Sequence, residues 1–353
     1  MRTTRPTKRL RLVTPMISGE GSKFTLIRCE DNAGWLDQRK KGIGGSDVAA
    51  IMGLSPWRTP AEVWLEKTGR AEPQDLSDRP HVQRGVDLEG YVGTKFKDAH
   101  KDFRVRRVNA ICQSIERPWA QASLDYEVAE PNDQILRNYG HKFQQGIDWG
   151  VLEIKTSRND ADWKDGIPAY YLTQVMHYLS VTGREFAWVA VQFDSDWLWE
   201  YREYRIERDE EDIAAINAAV DTFWHEFVEA DVMPVLVGTA GEAQGLTQMF
   251  ATPTIENFTT TDADTLQLVT DYQDASEREK QAKADKQTAS TLLMAKIGEH
   301  KSMFTDTAKV TWSRSEQERF DTKRFRADHP DLYAQYVSTY TRNGGLRVTD
   351  LKK

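Results

Sequence analysis

Hydrophobic and polar residues follow two distinct periods along the first two thirds of the chain. Apolar residues that recur every three to four positions predict amphipathic helices over residues 59–68, 83–100, 169–182 and 210–232. Segments that are continuously apolar, or that alternate apolar with polar residues, predict strands over residues 122–128, 151–156, 186–193 and 197–206. This order of helices and strands fits a mixed sheet flanked by helices, a fold of the α/β (α+β) class.

The pattern changes after residue 233. Residues 234–253 contain prolines at both ends and three glycines between them, which predicts a linker. Beyond it, residues 262–300 are rich in Ala, Lys, Gln and Glu and predict one long helix or a helical hairpin, followed by a short strand and a basic, aromatic helical segment. We therefore divide the chain into a basic N-terminal arm (1–28), a core domain (29–233), a linker (234–253) and a helical C-terminal module (254–353) of unknown role.

The composition is that of an ordinary soluble protein, with 353 residues of which 39% are hydrophobic and 29% charged. A formal net charge of −8 argues against a protein that coats DNA indiscriminately, but it permits a basic channel within an acidic surface. Residues 1–28 carry seven basic residues against only Glu20, so this arm either contacts phosphate or is a solvated, disordered tail. We find neither an apolar run of about 18 residues nor a secretory signal, and we expect a cytoplasmic protein.

Cysteine and histidine usage argues against two kinds of metal site. The only cysteines, Cys29 and Cys112, lie far apart in sequence and cannot supply the four ligands of an iron–sulfur cluster. Their scarcity also suits a reducing, cytosolic compartment. The seven histidines are scattered without the spacing of a zinc site.

The strand predicted over residues 151–156 carries the most informative charges of the chain. Alternate side chains of a strand share a face, so Glu153 and Lys155 point the same way while Ile154 points into the core. Charges on such an apolar strand are costly unless they serve each other or a metal. Asp125 lies on another predicted strand, and pairing of the two strands would bring the three groups together. Two carboxylates can hold Mg²⁺, and a neighbouring lysine can orient or deprotonate the attacking water, which favours phosphodiester hydrolysis.

Five short motifs extend this interpretation. They are Gly42-Ile43-Gly44-Gly45-Ser46-Asp47-Val48-Ala49, Gly85-Val86-Asp87-Leu88-Glu89, Ser123-Leu124-Asp125, Leu152-Glu153-Ile154-Lys155-Thr156 and Tyr171-Leu172-Thr173-Gln174-Val175-Met176-His177-Tyr178. In this order they resemble the YqaJ-like viral recombinase family, which belongs with the lambda-type phage exonucleases of the PD-(D/E)XK nuclease superfamily. The resemblance implies a restriction-endonuclease-like core, so we interpret residues 29–233 as a PD-(D/E)XK nuclease domain.

The resemblance assigns a metal site to the two carboxylates. It implies that Asp125 and Glu153 are ligands of one or two Mg²⁺ ions, with Mn²⁺ as a substitute, and that the main-chain carbonyl of Ile154 is a further ligand. Lys155 matches the catalytic lysine of the family. Leu124 stands where the superfamily has proline, a position that shapes the turn rather than binding metal.

Two further catalytic residues follow from the resemblance. Glu89, on the helix predicted over residues 83–100, resembles an acidic residue that contacts the metal-bound water or the lysine. Gln174, on the helix after the catalytic strand, resembles a glutamine that helps to place the nucleophile and the lysine. The long interval between Asp125 and Glu153 is interpreted as an inserted hairpin loop, which leaves open whether Asp148 competes as a ligand.

Upstream residues resemble a site for a terminal 5′-phosphate. Arg39 and Ser46 match the pair that holds this phosphate in the family, and Ser123 is a third candidate. The chemistry is suitable, because arginine presents a planar fork to phosphate oxygens and a serine at a helix start adds a donor beside free backbone amides. On the residues alone, a glycine cluster before a helix is also typical of an ordinary capped loop.

The residues together with the resemblance imply a Mg²⁺-dependent exodeoxyribonuclease that degrades linear duplex DNA from 5′ to 3′, and the polarity follows from the resemblance alone. By resemblance, it would leave a 3′ single strand for phage-type recombination in a bacterial or phage-infected cell, with a single-strand annealing recombinase as partner and a ring-shaped homo-oligomer as a further expectation. Two alternatives stay open, an endonuclease of the restriction or junction-resolving kind and a non-catalytic DNA-binding protein.

Overall fold

The structure is a computed structural model of the chain, and it describes residues 22–73, 79–131, 148–195, 197–250, 257–313, 315–338, 346–349 and 351. Contacts divide the chain into two compact units, Met1–Phe250 and Ala251–Lys353. Most of the predicted N-terminal arm and of the predicted hairpin insertion after Pro131 lies outside the described residues.

The first unit alternates helices and strands. Its elements are β1 (Phe24–Ile27), α1 (Asn32–Lys40), α2 (Gly45–Ile51), α3 (Pro60–Lys67), α4 (Pro80–Ala99), β2 (Arg104–Arg107), β3 (Ile111–Ser114), β4 (Gln121–Ser123), β5 (Tyr126–Ala129), β6 (Gly150–Ser157), α5 (Ala169–Thr182), β7 (Phe186–Ser195), β8 (Leu198–Glu207), α6 (Glu210–Thr222) and α7 (Ala240–Met249). A 3-10 turn spans Ala161–Trp163, and α6 continues as π-helical turns over Phe223–Glu229.

A five-stranded mixed sheet forms the centre of this unit, in the order β2-β5-β6-β7-β8. Strands β6 and β7 are parallel, as expected for strands joined by a crossover helix, and the other pairs are antiparallel. Helix α5 makes this crossover and ends at Gly183, whose φ of 66° is in the left-handed region that favours glycine. The predicted α/β (α+β) fold, a mixed sheet flanked by helices, is confirmed.

The two faces of β6 contact different helices. Leu152 and Ile154 pack with Val92 and Phe96 of α4 in a smaller hydrophobic cluster. Because side chains alternate along a strand, Glu153 and Lys155 project from the opposite face, where α5 lies. The strand thus exposes its charged pair to a helix rather than to bulk solvent.

The strand predicted over residues 122–128 is divided into two. Strand β4 belongs to a separate antiparallel sheet, β1-β3-β4, whereas β5 belongs to the central sheet. The break falls at Asp125, whose main-chain carbonyl accepts a hydrogen bond from Val108 and whose carboxylate accepts one from Ile154. Hydrogen bonding by an aspartate side chain competes with a regular ladder, which explains why the chain changes sheet here.

The predicted linker (234–253) differs from what the structure shows. It contains α7, which packs on α3 within the first unit. The buried Glu242 carboxylate accepts hydrogen bonds from Thr59 and from the backbone of Gly238. A Cβ on Gly245 would lie only 2.5 Å from Leu65 Cδ1, so this glycine serves close helix packing rather than a flexible connection. The unit boundary accordingly falls after Phe250.

The second unit contains α8 (Ala263–Ile297), the hairpin of β9 (Ser302–Phe304) and β10 (Lys309–Thr311), and the short helices α9 (Thr322–Asp328) and α10 (Pro330–Tyr336). Of the two options predicted for residues 262–300, the structure has the single long helix, 35 residues in length. Among the described residues, no helix is long and apolar enough to cross a membrane.

Candidate active site

A lysine, a glutamate and a glutamine form a closed hydrogen-bonded triangle above the middle of the central sheet. Lys155 Nζ lies 2.6 Å from Glu153 Oε1 and 3.1 Å from Gln174 Oε1. Gln174 Nε2 donates to the same Glu153 oxygen at 2.8 Å. Gln174 belongs to the buried face of α5, which packs against β6. Its side chain is therefore buried rather than on the helix surface. Three residues predicted from two separate motifs are therefore in direct contact.

A hydrogen bond from the backbone of β6 holds Asp125 beside this triangle. Its Oδ2 accepts the Ile154 amide at 2.8 Å. Its position directly before β5 places it next to Glu153, because Tyr126 pairs with Leu152 in the antiparallel register. The carboxylates of Asp125 and Glu153 line one cavity, and among the described residues the buried Glu153 Oε2 has no hydrogen-bond partner.

The electrostatics of the two acids suit a bound cation. Burial, with the neighbouring charge of Asp125, raises the pKa of Glu153 to about 8, although Lys155 opposes the shift. Burial also raises the pKa of Asp125, against the effects of Lys155 and the Ile154 amide. Burial alone would lower the pKa of Lys155, but the two carboxylates outweigh it and raise that pKa, so the lysine is a cation. Positive charge between the acids would stabilise both as carboxylates.

The candidate metal site contains fewer acidic side chains than a site with three carboxylate ligands. Within the described ranges there is no group of three or more His, Cys, Asp or Glu side chains placed to hold a metal ion. The unpartnered Glu153 oxygen and the adjacent Asp125 nevertheless match the hard oxygen donors that Mg²⁺ prefers. The residues thus fit a divalent cation held by two carboxylates, with the remaining ligands from backbone, solvent or substrate.

Glu89 and Asp148 lie outside this cavity. Glu89 accepts a hydrogen bond from Arg107 at 2.6 Å, and its pKa is raised by burial and by the nearby charge of Asp125. Among the described residues, Glu89 pairs with Arg107 rather than with Lys155, but its charge still contributes to the raised pKa of Glu153. The predicted contact of Glu89 with a metal-bound water stays a prediction. Asp148 is exposed and precedes β6.

The predicted phosphate-binding residues line the same cavity as the two acids. Arg39 Nη2 donates to Ser46 Oγ at 2.9 Å, at the N-terminus of α2, where backbone amides are free of helical partners. Ser123, at the end of β4, faces them. The cavity has a volume of about 200 Å³. It is lined by Trp35, Arg39, Gly44, Gly45, Ser46, Gln121, Ser123, Asp125, Glu153, Gln174 and Tyr178.

A buried ion network holds the start of α2 in place. The Asp47 carboxylate accepts the Gly44 amide at 3.0 Å and pairs with Lys67 at 2.7 Å and with Arg58 at 2.9 Å. Burial alone would raise the pKa of Asp47, but these cations outweigh it and lower that pKa well below its usual range. Lys67 also donates to the Arg39 carbonyl at 2.9 Å, so the network holds both Arg39 and the start of α2.

His177 attaches α5 to the same segment from the other side. Its Nε2 lies 3.2 Å from the Ile43 carbonyl and 3.0 Å from the Gln121 carbonyl, which requires the tautomer with the proton on Nε2. Burial lowers the pKa of His177 to about 4, so the ring is neutral near pH 7. The neutral ring thus bridges the loop before α2 and the start of strand β4, which both border the cavity.

Sequence reasoning did not identify several residues of the cavity. Trp35, Gln121 and Tyr178 line it without having been predicted. Only Tyr178 carried a usable signal, because it follows Gln174 by one helical turn and so shares its face.

Comparison with known proteins identifies the family. The model of the YqaJ-like viral recombinase domain matches residues 34–185. A Bacillus subtilis (strain 168) relative, the uncharacterized protein YqaJ, is 30% identical over 325 residues, which cover 89% of this chain and 93% of that protein. The chain belongs to the YqaJ-like viral recombinase family, as predicted.

Solved structures with partial similarity include two exonucleases. One is the alkaline exonuclease LHK-Exo from Laribacter hongkongensis, at 23% identity and a TM-score of 0.45, covering 57% of this chain and 94% of that one. The other is a phage-related exonuclease from Haemophilus somnus 129PT, at 13% identity and a TM-score of 0.37, covering 54% of this chain and 96% of that one.

Proposed function

We propose that the protein is a Mg²⁺-dependent exodeoxyribonuclease that degrades linear duplex DNA from 5′ to 3′ and leaves a 3′ single strand. The observation that carries this proposal is the single cavity that joins Arg39 and Ser46 to Asp125 and Glu153. Some residues of the lining offer donors for a phosphate and others offer acids for a cation. A strand end held by the former would present its backbone to the latter.

Membership of the YqaJ-like viral recombinase family supports an action on DNA in recombination. By the same resemblance, the single strand that remains would pass to an annealing recombinase, and a homo-oligomeric ring would keep the enzyme on its substrate. A cytoplasmic location in a bacterial or phage-infected cell belongs to the same proposal.

The metal would be held by Asp125 and Glu153, with the Ile154 carbonyl as a further oxygen donor, and Mn²⁺ would substitute for Mg²⁺. When bound, one or two such ions supply positive charge to the reacting phosphate and acidify an attacking water. Glu153 must then be ionised, which its raised pKa opposes until the cation is present.

The side chains of the triangle would position the reacting groups. Lys155 carries a positive charge beside the acids, so it can offset negative charge that develops on the phosphate. Gln174 holds the Lys155 ammonium and the Glu153 carboxylate in one orientation. In the same cavity, Arg39 would bind the terminal phosphate with its planar fork, and Ser46 and Ser123 would add hydroxyl donors. Cleavage would release 5′-phosphorylated nucleotides.

Digestion of three DNA substrates tests the proposal. Linear duplexes with and without a 5′-phosphate, and a covalently closed circle, are incubated with Mg²⁺, Mn²⁺ or EDTA. Progressive loss of the phosphorylated linear duplex, in Mg²⁺ or Mn²⁺ but not in EDTA, is expected. Cleavage of the circle would instead identify an endonuclease, and binding without any product would identify a non-catalytic DNA-binding protein.

Variants connect the activity to the cavity. Asp125→Asn and Glu153→Gln are expected to lower the rate at least about a hundredfold, the size of effect seen when a group that stabilises transition-state charge is removed. Arg39→Ala should reduce the preference for phosphorylated ends. Asp165→Asn is a matched control, since the Asp165 side chain is 90% exposed and lies outside the cavity. Full activity of the Glu153→Gln protein would refute the assignment of the site.

A further inference from the structure

Tyr178 places a buried hydroxyl group in the same cavity. The residue lies on α5, one turn after Gln174, and its side chain lines the cavity although only 4% of the residue is exposed. Its hydroxyl oxygen lies 2.8 Å from Gln174 Nε2. None of the steps proposed above uses this group.

The hydrogen bonds of Gln174 determine the direction of this contact. The Lys155 ammonium can only donate, so the amide atom 3.1 Å from it must be Oε1. Nε2 then donates one hydrogen to Glu153 and the other to Tyr178. The Tyr178 oxygen is therefore an acceptor from Gln174, and its own proton has to be donated elsewhere. In the part of the chain that the structure describes, no hydrogen bond donated by this hydroxyl is found.

The start of α2 packs directly against the ring. A Cβ on Gly45 would lie 2.5 Å from Tyr178 Cε1, so only glycine permits this approach. The contact brings the first turn of α2, with Ser46 and its partner Arg39, to the side of the tyrosine that faces the cavity. Burial raises the pKa of Tyr178 well above its usual value, so the hydroxyl keeps its proton and remains a donor.

We propose that the Tyr178 hydroxyl donates a hydrogen bond to an oxygen of the terminal 5′-phosphate of the DNA, beside Arg39 and Ser46. The inference rests on the proposed function and deepens it, because it adds a neutral donor to the cationic and hydroxyl donors of the phosphate site. Tyr178 is then a substrate-binding residue that links phosphate recognition to Gln174. A tyrosine that only supports Gln174 would affect phosphorylated and hydroxyl ends alike.

The test compares Tyr178→Phe with Tyr170→Phe. The first change removes one oxygen and retains the ring, so the fold is preserved, which thermal unfolding verifies. The second removes a hydroxyl from the same helix outside the cavity. Binding of duplexes with 5′-phosphate or 5′-hydroxyl ends is measured in EDTA, and kcat/KM is measured in Mg²⁺.

For Tyr178→Phe we expect affinity and kcat/KM to fall about ten- to a hundredfold on phosphorylated ends, the factor for one hydrogen bond to a charged group. Hydroxyl ends should be unaffected, and Tyr170→Phe should match the wild type on both. An equal loss on both ends, or no loss on either, would overturn the inference. If the wild type digests nothing, the proposed nuclease function fails, whereas binding in EDTA still tests the role of Tyr178.

Discussion

Removal of the Lys67 side-chain charge is expected both to destabilise the protein and to weaken binding at the proposed phosphate site. Lys67 Nζ lies 2.7 Å from Asp47 Oδ2, and both side chains are fully buried. Lys67→Met leaves the carboxylate with Arg58 as its close cationic partner, at 2.9 Å. Breaking a buried pair by removal of one partner costs about 3–5 kcal/mol, and the remaining arginine places our expectation near 3 kcal/mol.

A double-mutant cycle isolates the interaction from the other effects of each change. Asp47→Asn combined with Lys67→Met removes both charges, so the double variant should be more stable than the sum of the single losses implies, by about 1–3 kcal/mol. Urea unfolding gives the free energies, and Lys164→Met, which removes a 74% exposed lysine, is the control.

Functional loss should accompany the loss of stability. Lys67 also donates to the Arg39 carbonyl, so the Lys67→Met protein should bind 5′-phosphorylated ends more weakly at temperatures where it remains folded. Additive single losses, within about 0.5 kcal/mol, would refute the interpretation of a coupled buried pair.

Two further predictions concern the residues that border the cavity. Because burial lowers the pKa of His177 from 6.5 to about 4, its contribution to stability is present above pH 6.5 and is lost as the pH falls through 4. The stability advantage over His177→Gln should shrink by about 2 kcal/mol between about pH 7 and about pH 5 in urea unfolding, and a constant difference would contradict this. Gly45→Ala should cost about 1–3 kcal/mol and impair digestion, since its Cβ overlaps the Tyr178 ring, whereas Gly90→Ala, in open space on α4, should stabilise the protein by about 0.5–1 kcal/mol. Unchanged digestion by the Gly45→Ala protein would contradict the tight fit.

Local pattern predicted much of the fold and of the candidate site. The helix over residues 169–182 has the predicted bounds, because its apolar periodicity and the terminal Gly183 are both encoded locally. The contacts among Glu153, Lys155 and Gln174 also follow from strand alternation and helical spacing, once the family resemblance selects these residues.

What the sequence could not predict depends on tertiary contacts. The break at Asp125 requires a hydrogen bond to Ile154, which is 29 residues away and on another strand. Gly245 is one of the glycines that predicted a linker. In the structure it instead allows α7 to pack closely against Leu65 of α3, a contact that the local sequence does not reveal. Glu89 turns to Arg107 because β2 brings that arginine beside it, which no local pattern encodes.

Helix α5 carries both Gln174, in contact with Glu153, and Tyr178, which lines the same cavity as the proposed phosphate-binding residues Arg39 and Ser46. The Tyr178 hydroxyl lies only 2.8 Å from Gln174 Nε2, and the backbone hydrogen bonds of the helix keep the two side chains at this spacing. Under the proposed function, the helix keeps the group that binds the terminal phosphate at a fixed distance from the acids that would hold the metal. The size of each released fragment would then be set by the geometry of one helical turn, whatever the sequence of the strand that enters.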